Sequence, residues 1–174
     1  AQDEYIKAWC ALKIMSKVYG FGDPDGFVFN MSVGYDLDGI KGRKVNTYIN
    51  NMMDAGKTAQ FKECKKVLTE LFPEEKDFIA SISPNVSRSV TLSTLHGCPP
   101  QEIERIASYL LTKKHLHTFV KCNPTILGYK TARSILDSMG YDYIVFDEHH
   151  FNEDLQWEDA VPMFERLQKL ADKE

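Results

Sequence analysis

The sequence predicts an α/β fold, because strands and amphipathic helices alternate through the second half of the chain. From Val90 the pattern reads strand, helix, strand, helix, strand, helix, and each strand-plus-helix unit is about 30 residues long, the length of a βαβ crossover. Strands joined in this way lie parallel and are covered by helices on at least one face. The chain of 174 residues is shorter than a complete eightfold α/β barrel of about 250 residues. We therefore expect a partial βα repeat with parallel strands and additional helices.

The composition is that of a soluble globular protein and excludes several classes. The chain is 43% apolar, which is enough for a single domain over residues 1–174 with a core of its own. No apolar run approaches the roughly 20 residues of a membrane span, and no charged-then-apolar leader opens the chain. The net charge of −4 argues against a nucleic-acid partner, because such proteins usually carry a basic stripe.

The four cysteines lie far apart in the sequence and form no Cys-x-x-Cys pair. This spacing argues against a zinc ribbon or a complete iron–sulfur site within the chain. Free thiols in a reducing compartment are the simplest interpretation, so we expect a cytoplasmic protein. The cysteines are Cys10, Cys64, Cys98 and Cys122.

The first elements of the chain are predicted to be a helix and a strand. Apolar residues wrap much of the circumference of a helix over residues 2–19, which predicts packing on two sides. Residues 20–26 (GFGDPDG) end that helix. Residues 27–31 predict a buried strand, and residues 32–43 a loop.

Two amphipathic helices are predicted next. Asn46 can cap the first, which ends at Gly56, and Pro73 stops the second. Within an excursion over residues 73–88, residues 78–82 are predicted to be extended. The apolar faces are Tyr48, Ile49, Met52 and Met53 in the first helix and Phe61, Cys64, Leu68, Leu71 and Phe72 in the second.

Residues 89–128 form the clearest part of the pattern. Residues 90–95 and 118–122 are predicted strands, and Pro99 and Pro100 lie where the first turn of a helix tolerates proline. The helix between the strands carries apolar residues at helical spacing, which predicts one buried face. That face is Ile103, Ile106, Ala107, Leu110 and Leu111.

The remaining elements are a helix closed by Gly140, a strand over residues 143–146 and a final helix. Pro162 fits the final helix only if that helix begins near Asp159 or kinks at the proline. The predicted faces are Ala132, Ile135, Leu136 and Met139 in the first of these helices and Val161, Phe164, Leu167 and Leu170 in the last.

Cys98 is the sharpest candidate for chemistry. It lies just before a helix start, where unpaired backbone N–H groups can lower the pKa of a thiol, and His96 could share its proton. The alternative is a small residue that fills a tight turn beside Gly97, because free cysteine is commonly a small buried hydrophobe. The sequence leaves both interpretations open.

Two residues around the next strand are candidates for ligand binding. Lys121 lies in an otherwise apolar strand, so it either points into a polar cavity, where it could hold a phosphate or an electron-rich ring, or snorkels past an edge. Asn123 precedes Pro124, which keeps the turn extended, so its amide can point at a ligand. A lone Asn-Pro turn is otherwise unremarkable.

Two further clusters follow predicted strands. Asn30 and Ser32 are polar residues at the end of the first strand, and Gly34 would permit close approach of the backbone to a ligand. The run Asp147, Glu148, His149 and His150 contains ligands for a divalent metal. Because neighbours in an extended chain point to opposite faces, a solvated loop is the favoured interpretation of that run, and we expect no metal site.

The segments STLHGCPPQEIE and VKCNPTILGY, with FNMSVGYDLDGI upstream and GYDYIVF downstream, resemble the amino-terminal flavin-barrel region of bacterial selenate reductases. These are large iron–sulfur flavoproteins related to dihydropyrimidine dehydrogenase and to the small subunit of glutamate synthase. The resemblance covers most of the chain. It implies an incomplete TIM-barrel-like repeat within an oxidoreductase that takes electrons from NAD(P)H, with FAD and 4Fe–4S centres in other domains of the same polypeptide or in partner subunits.

The resemblance also implies roles for individual residues. In related barrels FMN lies at the carboxyl ends of the strands, and a Cys-Pro pair, matched here by Cys98 and Pro99, supplies the acid that protonates the substrate. A lysine on the following strand contacts the flavin, as Lys121 would. The implied set is Cys98 with His96 for catalysis and Lys121, Asn123, Asn30, Ser32 and Thr94 for binding FMN.

The chain departs from the related barrels at two places. They carry Asn-x-Ser before the Cys-Pro pair, whereas this chain has Leu95-His96-Gly97, so Ser93 or Thr94 would have to substitute. Asp147 stands where the relatives usually offer an asparagine to the flavin. These departures favour an alternative, a non-catalytic docking barrel in a redox complex. A third hypothesis is a thiol or metal site using His96, Cys98 and His149.

Overall fold

A computed structural model describes residues 2–94 and 97–174 and divides the chain into two compact units. One unit takes the chain up to Met31 together with Lys41–Ser89, and the other comprises Ser32–Ile40 and Val90–Glu174. The single domain expected from the sequence stays a prediction. Among the described helices, none has the length and apolar character required to cross a membrane.

The described residues form helices and three short strands. The strands are β1 (Asn30–Val33), β2 (Ser89–Leu92) and β3 (His117–Val120). Short 3-10 helices span Ala55–Lys57, Pro73–Glu75 and Pro124–Leu127. In chain order the α-helices are α1 (Gln2–Tyr19), α2 (Leu37–Lys41), α3 (Arg43–Met53), α4 (Ala59–Leu71), α5 (Lys76–Ser81), α6 (Pro100–Thr112), α7 (Tyr129–Ser138), α8 (Glu148–Asn152) and α9 (Trp157–Ala171).

The strands form one open parallel sheet in the order β1-β2-β3, which confirms the α/β prediction. Backbone hydrogen bonds continue the ladder past the carboxyl ends of the strands: Ser93 N donates to Val33 O at 2.8 Å and Lys121 N to Leu92 O at 2.9 Å. Helix α6 connects β2 to β3 and packs on β3 and α9. Its buried residues are Ile103, Ile106, Ala107 and Leu110, so the predicted face is confirmed except at Leu111, which is half-buried.

Helices dominate the first unit. Helix α1 is confirmed with its predicted bounds, and it packs against α3 and α4. Lys13 of α1 is buried, and its ammonium donates to Pro24 O and to Asp25 Oδ1 while lying 4.3 Å from the centre of the Trp9 ring. A cation on an aromatic face with two oxygen acceptors is compensated for its loss of water.

The first strand begins later than predicted. Strand β1 starts at Asn30, and Val28 is 85% exposed whereas Met31 is fully buried. The rings of Phe27 and Phe29 pack edge-to-face on Trp9 of α1, with centroid distances of 5.4 and 5.5 Å. Residues 27–29 therefore pack on α1 and are not part of the sheet.

Three further predictions in the first half are wrong in detail. Helix α3 begins at Arg43, so Asn46 lies inside it and does not cap it, and part of the predicted loop is α2. Residues 76–81 form helix α5 where an extended piece was expected. Only Ile79 of that segment is buried, which fits one face of a short helix better than an alternating strand.

The predicted strand over residues 143–146 does not form. Tyr143 and Val145 are 72% and 92% exposed. The guanidinium of Arg133 in α7 donates to the carbonyl oxygens of Tyr141 and Ile144, and Ile144 N also donates to Tyr141 O, so these groups form a turn and no ladder. The apolar sequence alone therefore did not decide the structure of this segment.

The last two long helices bury fewer of the predicted apolar residues. Ala132 is the buried residue of α7. Helix α9 begins at Trp157, two residues before the predicted start, and contains Pro162 in its interior. Its buried residues are Ala160, Met163 and Leu167, so the predicted face is correct only at Leu167.

Candidate functional site

A cavity of about 280 Å³ lies beside Cys98 in the second unit. The loop after β1 and the loop after β2 form its walls together with the start of α6. Two residues predicted for the site, Cys98 and Thr94, share this cavity. Its lining is Tyr35, Asp36, Thr94, Gly97, Cys98, Pro99 and Glu102.

Gly34 brings the two loops together. A Cβ on residue 34 would lie 2.9 Å from Ser93 O, a distance that real side chains essentially never adopt. Ser93 N donates to Val33 O directly beside this contact. The glycine thus serves a close approach between two backbones, whereas the sequence had suggested approach to a ligand.

The start of α6 positions Cys98. Pro100 is the first helical residue, and Glu102 in the first turn accepts a hydrogen bond from Leu37 N at 3.0 Å, which ties α6 to α2. The other carboxylate oxygen of Glu102 pairs with Arg105 at 2.8 Å. A carboxylate near a helix N-terminus is favourably placed in the field of the helix dipole.

The pKa of the Cys98 thiol is raised, first by partial burial and then by the negative charges of Glu102, Asp154 and Asp36. This direction is opposite to the lowering that a helix start by itself would produce. The thiol is therefore protonated at neutral pH. A protonated thiol can donate a proton and is a poor nucleophile.

Asp154 links this loop to the turn after β3. Its Oδ1 accepts from Gly97 N at 2.7 Å, and its Oδ2 accepts from Asn123 Nδ2 at 3.0 Å. The sequence reasoning missed Asp154. A single aspartate in a loop between α8 and α9 has no periodicity or motif that would identify it.

The other predicted residues that the structure describes are not part of the cavity lining and have different settings. Asn30 and Ser32 are on the exposed side of β1, and Asn30 belongs to the first unit. Lys121 is exposed and forms no ion pair with any residue in the ranges 2–94 and 97–174. His96 falls outside the described residues.

Thr125 contributes an unusual polar atom. It is 7% exposed, and its Oγ1 has no hydrogen-bond partner among the residues that the structure describes. Thr125 follows Pro124 in the 3-10 helix that comes directly after Asn123. A buried hydroxyl without a hydrogen-bond partner destabilises the folded state. A polar group supplied by water or a ligand would therefore stabilise this turn.

The acidic and histidine-rich run forms a helix cap. Asp147 Oδ1 accepts from His149 N at 2.6 Å at the start of α8, and this backbone hydrogen bond holds the pKa of the Asp147 carboxyl below its usual value. His150 lies 3.5 Å from Asp147, and His149 lies 3.5 Å from Glu153. Within the described part of the chain, no three His, Cys, Asp or Glu side chains gather as a metal site would require.

The cavity is slightly smaller than a typical ligand pocket. Ligand pockets usually hold about 300–1,000 Å³, so a cavity of about 280 Å³ suits a small molecule or one ring system. Among the residues that the structure describes, the lining includes Asp36 and Glu102 and no lysine or arginine, which disfavours a phosphate in the cavity. A flavin phosphate would need cationic or backbone N–H groups from outside this lining.

Parallel strands joined by a connecting helix, with polar side chains beyond their carboxyl ends, are features shared with α/β-barrel domains. The chain belongs to the family described as "Oxidoreductase YgfK, N-terminal TIM-barrel domain", whose model matches residues 1–174. This match confirms the expected TIM-barrel fold class and the expected membership of an oxidoreductase family.

Two curated relatives support the same assignment. Both are named "Putative oxidoreductase YgfK", one from Escherichia coli strain K12 and one from Escherichia coli O157:H7. Each is 42% identical over 187 residues, an alignment that covers 98% of this chain. The chain spans 18% of the length of these relatives. No solved structure gives a significant match.

Proposed function

We propose that this chain forms part of an iron–sulfur flavoprotein oxidoreductase and that the cavity beside Cys98 receives a small unsaturated or oxidised substrate. The observation that carries the proposal is the position of the Cys98 thiol in the wall of a cavity beyond the carboxyl end of β2, where partial burial and nearby carboxylates raise its pKa. Membership in an oxidoreductase family supports the reaction class. Ligands bind at this end of the strands in α/β barrels.

Cys98 acts as the general acid in this proposal. FMN, if bound in the full-length protein, would supply a hydride for one atom of a substrate double bond. Sγ of Cys98 gives its proton to the other atom of that bond, and the thiolate recovers a proton from solvent, with His96 as the neighbouring relay. Partial burial and the negative charges of Glu102, Asp154 and Asp36 raise the pKa of the Cys98 thiol and so favour its protonated form.

The residues beyond the cavity contact the flavin in this proposal. Lys121 offers a cation that pairs with no described carboxylate, and Asn123 offers the free end of its amide. Thr94, Ser32 and Asn30 provide further polar contacts. Electrons reach the flavin from NAD(P)H through FAD and 4Fe–4S centres in other domains or partner subunits, in the cytoplasm.

The charge of the cavity narrows the substrate class. Asp36 and Glu102 line it, and Asp154 is a third negative charge that acts on Cys98. Like charges repel strongly where water is partly excluded. An uncharged ring is therefore favoured over an oxyanion such as selenate, the substrate in the name of the family that the sequence resembles.

Flavin extraction tests the proposal. The full-length protein should release FMN in addition to FAD, and release of FAD alone would refute the flavin role of this chain. A Cys98→Ala variant should retain both flavins and lose most turnover, since general acid catalysis typically contributes about 10²–10⁴-fold. The matched control is Cys122→Ala, which removes a half-buried thiol outside the cavity lining.

A non-catalytic docking barrel is the second candidate. The replacement of Asn-x-Ser by Leu95-His96-Gly97 and the use of Asp147 as a helix cap favour it. It predicts full turnover in Cys98→Ala and no FMN in the extract. The two measurements therefore separate the candidates.

A further inference from the structure

Asp154 connects two loops that are distant in the sequence. Gly97 N, the backbone donor directly before Cys98, and the Asn123 side chain both donate to its carboxylate, at 2.7 and 3.0 Å. Asp154 is 57 positions from Gly97 and 31 positions from Asn123 in the sequence. Hydrogen bonds to an ionised carboxylate are shorter and stronger than those between neutral groups.

The backbone of Asp154 is itself held in place. Gln156 Nε2 donates to Asp154 O at 2.8 Å, and Gln156 is the residue directly before α9. Gly97 has a φ of 74°, a left-handed conformation that glycine adopts without strain. The hydrogen bond from Gly97 N to Asp154 Oδ1 holds the backbone of Gly97, which leads directly into Cys98.

We propose that Asp154 is a positioning residue that holds the Cys98 loop and the Asn123 turn at a fixed spacing across the ends of β2 and β3. The inference rests on the proposed function only for the roles given to Cys98 and Asn123. The hydrogen bonds themselves do not depend on a flavin or a substrate.

The same contact sets the chemistry that Asn123 offers to a ligand. An ionised carboxylate only accepts hydrogen bonds, so the Asn123 amide must turn its Nδ2 toward Asp154. Its Oδ1 then remains for a ligand, and the ligand atom that meets it must be a donor. Asp154 thereby selects a ligand with a hydrogen-bond donor, such as a ring N–H, at this position.

Asp154 also contributes to the charge around Cys98. The groups that face the thiol are Glu102 from α6, Asp36 and Tyr35 from the loop after β1, and Asp154 from the loop before α9. Asp154 is one of the three carboxylates that raise the pKa of the thiol. Its removal should make Cys98 ionise at lower pH.

Two variants and one control test the inference in the full-length protein. Asp154→Ala removes both acceptors, and Asp154→Asn keeps the volume but replaces one acceptor by a donor. Asp142→Asn makes the same charge change at an exposed turn residue of the same unit. The readouts are amide hydrogen exchange at Gly97 and the pH dependence of Cys98 alkylation by iodoacetamide, followed by peptide mass spectrometry.

We expect Gly97 to exchange at least about tenfold faster in Asp154→Ala, because a charge-assisted hydrogen bond is lost. The midpoint of Cys98 alkylation should move to lower pH in both Asp154 variants and stay unchanged in Asp142→Asn. A folded Asp154→Ala variant with unchanged exchange at Gly97 would overturn the inference. If that variant does not fold, an unchanged alkylation midpoint in Asp154→Asn would overturn it.

These outcomes are independent of the proposed function. Neither readout needs a bound flavin or turnover, so the positioning role can fail while FMN is found. Conversely, absence of FMN in the extract would remove the proposed function and leave the link between Gly97, Asp154 and Asn123 intact.

Discussion

The backbone of Gly34 passes the carbonyl oxygen of Ser93 so closely that a Cβ on residue 34 would lie 2.9 Å from that oxygen. This contact joins the end of β1 to the end of β2, and the next residues on each side form the walls of the Cys98 cavity. The shape of the cavity thus depends on the absence of a side chain at position 34.

Gly34→Ala should therefore destabilise the fold. The added methyl group meets a backbone oxygen that cannot rotate away, and overpacking of this kind costs about 1–3 kcal/mol. Urea unfolding measures the change in the free energy of unfolding. Ser32→Ala, on the exposed side of β1, is the control and should change the stability little. Equal stability of Gly34→Ala and the wild type would show that the loops can move apart.

Glu102→Gln should lower the pH at which Cys98 is alkylated. The amide oxygen can still accept the hydrogen bond from Leu37 N, while the negative charge beside the thiol is lost. Because that charge raises the pKa of the thiol, its loss lowers the pKa. The control is Glu104→Gln on the same helix, where the carboxylate pairs with Arg166 at 2.7 Å. If Cys98 had the same alkylation midpoint in both variants, the charge of Glu102 would not be a cause of its raised pKa.

Arg133→Met should release the segment over residues 139–146. The variant loses the hydrogen bonds to Tyr141 O and Ile144 O and the contact of the guanidinium with the Phe146 ring at 5.0 Å. We expect a loss of about 1–3 kcal/mol and faster amide exchange at Ile144, whose N–H donates to Tyr141 O at 3.1 Å. Lys130→Met, an exposed position of α7, provides the comparison. Unchanged exchange at Ile144 would mean that Arg133 does not hold the segment.

Alkaline pH should unfold the protein partly through Cys10. Burial and the neighbouring Cys64 raise the pKa of the Cys10 thiol from 9.0 to about 12. Between these values the unfolded chain has lost the proton and the folded chain keeps it, so stability falls as the pH rises through this window. Urea unfolding from pH 8 to pH 11 measures the slope.

Cys10→Ala should reduce that slope, whereas Ser16→Ala, another buried position of α1 without a group that titrates in this range, should leave it unchanged. Parallel slopes in the wild type and Cys10→Ala would contradict the prediction.

Helix α6 shows how much the sequence by itself determined. The two prolines at its start and the spacing of Ile103, Ile106 and Leu110 specify a helix with one buried face, and the structure has both. The same holds for α1 and for the breaker after it, where Gly20 and Gly22 have φ values of 68° and 105°. These features arise from contacts within a few residues of the chain, so periodicity and turn chemistry are sufficient to reveal them. The candidate residues Cys98 and Thr94 were found in this way, because they follow a strand that the pattern identifies.

Tertiary structure alone decided the rest. Residues 143–146 have the composition of a strand, but the Arg133 guanidinium donates hydrogen bonds to the carbonyl oxygens of Tyr141 and Ile144, and no strand forms there. The acceptor that joins the Cys98 loop to Asn123 comes from Asp154, far along the chain. The pKa of Cys98 is raised because folding partly buries the thiol and brings carboxylates from α6 and from two separate loops near it, whereas a helix start alone would lower that pKa. Local patterns record what a segment can become, whereas hydrogen bonds and charges between distant segments exist only after the chain has folded.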